Sequence, residues 1–198
     1  MNMRREENIQ TLARVAAAAA LAFSGAALAA GPSAAMLASA CAGCHGTLGA
    51  SAGPSMPSLA GQSRLAIVES MKGFKSGERP STVMGRLAKG YSDAEFETMG
   101  EYFSKQRPFP NSGSADPAKV ARGSALHEKH CARCHVEDGK EIKDNSPIVA
   151  GQWAKYLEIQ MHDFASGKRK MFDRKEEKMK PLSREELEAI AHFYASVK

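Results

Sequence analysis

The chain has 198 residues, with 27 Lys and Arg against 22 Asp and Glu, a net charge of +5 and four cysteines. A mild basic excess with no basic tract and 7% aromatic residues makes no case for nucleic-acid binding. Beyond the N-terminal thirty residues no apolar run approaches bilayer length, and enough chain remains for two small domains.

The N-terminus reads as an export signal. Arg4, Arg5 and Arg14 precede or begin an apolar, Ala-rich run from Val15 to Ala30, and Ala27-Leu28-Ala29 has the small-x-small form of a cleavage site. Residues 1–30 are therefore expected to be a cleaved signal peptide directing the chain to the periplasm, with no stable membrane span in the mature protein. An uncleaved anchor is the alternative, against which the run is short for a bilayer.

The first chemical motif is Cys41-Ala42-Gly43-Cys44-His45, and ninety positions later comes Cys131-Ala132-Arg133-Cys134-His135. Together they use every cysteine. Cys-x-x-Cys-His is the attachment pattern for c-type haem: two thiols form thioethers with the vinyl groups, and the histidine becomes the proximal iron ligand. Wound as a helical turn, positions i, i+3 and i+4 share one face, so both sulfurs and the imidazole meet one macrocycle. A four-thiolate zinc site leaves the two histidines unexplained. A thioredoxin-like pair needs a βαβ context that is not found. Disulfides within such short loops add little. Two covalently attached haem c groups are the expectation.

Between the motifs the chain has a regular plan. A first helix, roughly Ser33 to Cys44, leads into the haem motif. A middle helix spans roughly Arg64–Lys75, with Leu65, Val68, Met71 and Phe74 at helical spacing and Gly77 just past its end. A last helix opens on the capping box Ser92-x-x-Glu95 and carries Phe96, Met99 and Phe103. A Pro/Gly/Ser-rich linker follows over 106–116.

The plan then repeats. Pro117 to Cys134 forms a first helix capped by Asp116, Ala154–Ser166 a middle helix, and Ser183-x-x-Glu186 opens a last helix with Leu187, Ile190, Phe193 and Tyr194. Ala60-Gly61-Gln62 matches Ala150-Gly151-Gln152 at an offset of ninety, as do Met71 with Met161, Phe74 with Phe164 and Gly77 with Gly167. Ser92 matches Ser183 at ninety-one. One held register with a single one-residue shift indicates duplication of a whole unit. The expected fold is all-α: two tandem class I cytochrome c domains, residues 31–105 and 117–198, each wrapped around one haem. Packing within or between domains is expected for Trp153 and Tyr156.

The distal ligand separates electron transfer from catalysis, because methionine sulfur closes the iron and raises its potential. In the first half Met84 is the candidate, with Gly85 beside it to admit close approach; Met71 and Met99 lie on apolar stripes, and Met56 is a rival between Ser55 and Pro57. In the second half the register reaches Arg174 or Lys175, both set aside as ligands. Met171 and Met179 are the sulfurs at hand, and Met179, nearer the last helix, is preferred over Met171. His127, His130, His162 and His192 are further alternatives. A diheme peroxidase would need one open or displaceable iron position. The charge run Lys168–Lys180 reads by default as a solvated face; the sharper alternative places some of its cations near haem propionates or at a partner's acidic surface. No two glycines are separated by one residue, so a Gly-x-Gly-x-x-Gly dinucleotide fingerprint is missing, and any flavin would sit on another chain.

Several stretches carry a family resemblance: Cys-Ala-Gly-Cys-His-Gly-Thr (41–47), Gly53-Pro54 with Pro57-Ser58, Gly-Phe-Lys-Ser-Gly-Glu (73–78), Met-Gly-Arg-Leu-Ala-Lys-Gly-Tyr-Ser (84–92), Cys-His-Val-Glu (134–137), Ala-Gly-Gln-Trp (150–153), and Phe-Tyr-Ala-Ser near the end. With these the chain resembles the diheme cytochrome c4 family and, more closely, the diheme cytochrome subunits of flavocytochrome c sulfide dehydrogenases. The resemblance implies His45 and His135 as proximal ligands, Met84 as first distal ligand and a methionine as second. It further implies an electron-transfer subunit without catalysis of its own. Such a subunit would pair with an FAD-containing sulfide-oxidising chain as a heterodimer and pass electrons to a soluble acceptor such as another cytochrome c. A free cytochrome c4-like shuttle to a terminal oxidase is the alternative.

Overall fold

The computed structural model describes residues 31–143, 146–171 and 173–198, with the backbone alone at Arg174. The expected signal peptide lies outside the described residues. Nine α-helices occur among the described residues, with no strand: α1 Ala34–Ser39, α2 Ala42–His45, α3 Arg64–Ser76, α4 Met84–Leu87, α5 Asp93–Ser104, α6 Pro117–His130, α7 Ala154–Ala165, α8 Asp173–Met179 and α9 Arg184–Ser196. None of these helices is long and apolar enough to cross a membrane.

Local chemistry sets the helix ends. Ser92 accepts from the Glu95 amide while the Glu95 carboxylate accepts from the Ser92 amide, and Ser183 and Glu186 repeat this box at α9. Asp116 accepts from the amides of Ala118 and Lys119, with Pro117 in the first turn of α6. Gly77 ends α3 in the left-handed region, at φ 84°.

The first-half core joins Leu37, Val68, Met71, Phe96, Met99 and Phe103, with α5 packed on α1 and α3. Met71 and Met99 are core fillers, as expected. Leu65 departs from its expected place on the buried stripe of α3: it is 38% exposed, and Ile67 takes the inward position. The second-half core joins Leu157, Ile190, Ala191, Phe193 and Tyr194, where α9 packs on α6 and α7. Each fully buried large apolar side chain contributes about 1.5–3 kcal/mol. The α6–α9 crossing is close because of Gly123, where a Cβ would stand 2.1 Å from the Ala189 carbonyl oxygen.

Residues Ala34–Lys198 form one compact unit. Its halves meet through loops. Gln152 brackets the backbone of Ser58, accepting its amide at 3.0 Å and donating to its carbonyl at 2.9 Å. Gln62 does the same to Ile148, at 3.1 and 2.7 Å. Trp153 packs on Gly53 and donates its indole N–H to the Ser51 carbonyl at 3.2 Å. Tyr156 donates its amide to the Pro54 carbonyl at 3.2 Å. Trp153 and Tyr156 thus bridge the halves. The segment between α5 and α6 is anchored by buried Asn111, whose side-chain amide donates to the carbonyls of Gly151, Gln152 and Ala195.

Candidate haem centres

Both Cys-x-x-Cys-His motifs close on themselves. The His45 amide donates to the Cys41 carbonyl at 2.9 Å and the His135 amide to the Cys131 carbonyl at 3.0 Å. These i, i+4 bonds turn the sulfurs and the imidazole to one side. The first motif forms the short helix α2. In the second, α6 stops at His130 and the motif is a run of hydrogen-bonded turns rather than the continuous helix expected to Cys134.

The proximal histidines are poised to ligate. His45 is buried, and its Nδ1 lies 2.8 Å from the Pro57 carbonyl oxygen. Nδ1 therefore carries the proton and Nε2 the free lone pair, the arrangement that orients metal-bound histidines. Burial holds the imidazole below its ordinary pKa. Burial, then the charges of Lys175 and His127, push His135 down to about 4. Pro147 is the register mate of Pro57, but no hydrogen bond of normal geometry reaches the buried His135 Nδ1. Burial, first of all, raises the thiols of Cys41 and Cys131.

Met84 opens α4, with its amide held by Ser81 Oγ at 2.9 Å. It is half-buried and packs, with Cys41 and Tyr91, against the first core. Met56 is 36% exposed in the loop beyond Ser51. In the second half Met171 and Met179 are both half-buried, on either side of most of α8. His162 is exposed and His192 accepts the Asp116 amide at 3.0 Å. His127 is buried against Tyr194, its Nδ1 2.9 Å from the phenol oxygen.

Two features bear on the inward alternative for the charge run, and the convergence on Gln160 is not legible in the sequence. The Arg79 guanidinium donates to Gln160 Oε1 at 2.9 Å and to the Tyr156 phenol at 3.3 Å, and Arg169 donates to the same Gln160 oxygen at 2.5 Å. Neither arginine pairs with a carboxylate at ion-pair distance among the described residues. Burial, then the charge of Arg79, lowers Arg169 to about 10. The matched offset of these arginines, just beyond Gly77 and Gly167, was the available signal. The second feature lies in the charge run. Lys168, Lys170, Lys178 and Lys180 are exposed as expected, but Arg169 and Lys175 turn inward. Lys175 Nζ sits 3.4 Å from the Phe164 ring centroid, and burial, then the charges of Arg169 and Arg79, push its pKa down to about 7.

The donor set fits haem c: paired thiols beside a neutral buried imidazole, a sulfur in the first half, and two partly enclosed cations lacking a carboxylate partner, as propionates would require. Comparison with known proteins agrees. Residues 120–198 match the cytochrome c family profile. A cytochrome c4 of Pseudomonas aeruginosa is 36% identical over 160 residues, covering 75% of this chain and 79% of that one. The chain belongs to the cytochrome c4 family. The crystal structure of reduced recombinant cytochrome c4 from Pseudomonas stutzeri superposes with a TM-score of 0.74 at 27% identity, covering 85% of this chain and 100% of that one. The cytochrome subunit of sulfide dehydrogenase from Chlorobaculum tepidum is 51% identical over 63 residues, covering 32% of this chain and 56% of that one. As a cytochrome c4-family protein, the chain is an electron-transferring haem c protein with the expected all-α fold.

Proposed function

We propose that this cytochrome carries two haem c groups, one on Cys41, Cys44 and His45 and one on Cys131, Cys134 and His135, and conducts electrons in the periplasm. When bound, each group supplies a one-electron Fe(III)/Fe(II) couple. The chain's own residues attach, orient and enclose it. His45 and His135 present neutral imidazole, and Met84 closes the first centre against small molecules. The arrangement around Gln160 carries the reading: cations from both halves converge there, while the two glutamine clamps hold the halves in fixed relation. Fixed relation suits transfer within the molecule, because no domain motion has to precede it.

The finer role proposed is that of a cytochrome subunit. It receives electrons from an FAD-containing, sulfide-oxidising partner in a heterodimer and passes them to a soluble acceptor such as another cytochrome c. The likeness to the Chlorobaculum subunit supports it, although over a third of the chain. The longer match to Pseudomonas cytochrome c4 favours a second reading, a free diheme shuttle to a terminal oxidase.

Haem content by pyridine haemochrome assay is expected to give two haems per chain. Affinity purification from the native host is expected to retain a flavoprotein, and sulfide is expected to reduce the haems only in its presence. Two haems with no retained flavoprotein would establish the free shuttle instead.

A further inference from the structure

We propose that Lys175 Nζ, rather than a methionine sulfur, is the sixth ligand to the second iron. The proposal rests on the diheme reading above and names a residue for its least defined position.

Register comes first. Phe74, Gly77 and Arg79 match Phe164, Gly167 and Arg169 at ninety, and Ser92 and Glu95 match Ser183 and Glu186 at ninety-one. Both flanks are pinned by structure: each arginine stacks on its own phenylalanine, at 4.5 and 4.3 Å, and each serine–glutamate pair forms a capping box. Counted back from the capping serine, Met84 corresponds to Lys175. The same count pairs Met179 with Ala88, which is 0% exposed in the first core. Met179 therefore stands where the first half has a wall residue, one helical turn from the ligand position. Met171 corresponds to the stretch before α4, around Pro80 and Ser81.

Place agrees with register. Lys175 lies on α8, the counterpart of α4, and its amine turns in over Phe164 rather than out with its charged neighbours. Its charge is felt at Cys131 and His135, the thiol and imidazole of the second motif. No carboxylate pairs with it among the described residues. A half-buried amine with no carboxylate at ion-pair distance is free to donate a lone pair to iron at this place. The amine is a harder donor than a thioether and favours Fe(III). The second centre then has the lower potential, and the first is the thermodynamic sink for electrons entering the chain.

The test uses the full-length holoprotein with two haems confirmed by haemochrome assay; fewer than two would overturn the diheme reading itself. Methionine ligation gives ferric haem a far-red sulfur-to-iron charge-transfer band, which amine ligation lacks. Wild type is expected to show the band at the intensity of one methionine-ligated haem, and Lys175→Met to raise it about twofold. Lys175→Ala is expected to keep the single band while the second haem turns high-spin and binds carbon monoxide. Met171→Leu and Met179→Leu are expected to leave the band unchanged. Two bands in wild type, one of them lost in either methionine variant, would overturn the proposal. So would a second haem that stays low-spin in Lys175→Ala, since another side chain would then be the ligand.

Discussion

The Gln152 side chain grips both backbone polar groups of Ser58 across the seam, and the repeat places Gln62 on Ile148 in the same way. Ser58 and Ile148 are themselves ninety positions apart, as are the two glutamines. The seam is thus built twice from one pattern, each half offering a loop backbone to the other's amide. Gln152, Ser58 and Gln62 are buried, so water cannot replace a missing partner there.

Gln152→Ala is expected to strip both backbone groups of Ser58 of their partners and cost about 2–6 kcal/mol, the sum expected for two unsatisfied buried groups. Gln62→Ala should cost less, because Ile148 is only half-buried. Denaturant unfolding of the holoprotein checks both, and equal losses would contradict the burial argument.

The repeat makes the fold legible, because periodicity, capping boxes and the haem motifs all depend on residues near in sequence. Met71 and Met99 are legible as core because spacing alone places them. Gln62 and Gln152 are visible as repeated positions, yet their function is not, since a side chain's partner ninety residues away leaves no local mark. Lys175 is hidden for a related reason. Beside Arg174, Glu176 and Glu177 its residue type suggests solvent, and only the fold turns its amine inward.

Gly53→Ala is expected to open the seam at Trp153. A Cβ at Gly53 would stand 2.6 Å from the indole, at a backbone φ of +94° that L residues rarely adopt. Overpacking typically costs about 1–3 kcal/mol, and the positive φ adds to it. Trp153 is the single tryptophan, so its near-UV circular dichroism should change together with the melting temperature.

His127 and Tyr194 form a buried polar pair where the first half has apolar Leu37 and Phe103. Tyr194→Phe is expected to leave His127 Nδ1 unpaired and cost about 1–3 kcal/mol, whereas the double change His127→Leu with Tyr194→Phe should cost much less. A double-mutant cycle by thermal unfolding checks this.

The same histidine predicts a pH dependence. Burial, partly opposed by Asp138 and Glu128, holds its folded pKa below the ordinary 6.5. The unfolded chain therefore binds a proton first as pH falls, so stability is lost on acidification below about 6.5, until the folded form also protonates. His127→Leu should flatten that portion of a stability-against-pH curve; an unchanged slope would assign it to other groups.

Arg79 and Arg169 approach one Gln160 oxygen from opposite halves, so the two charges stand together where the halves meet. A cation beside a haem destabilises Fe(III) more than Fe(II) and raises the potential. Arg169→Met is therefore expected to lower the midpoint potentials of both haems. Arg79→Met should do the same, while Arg169→Lys, which keeps the charge, should shift them less. Spectroelectrochemical titration of the holoprotein resolves the two waves. A fall confined to the second haem in Arg169→Met, and to the first in Arg79→Met, would mean that each cation serves its own half alone.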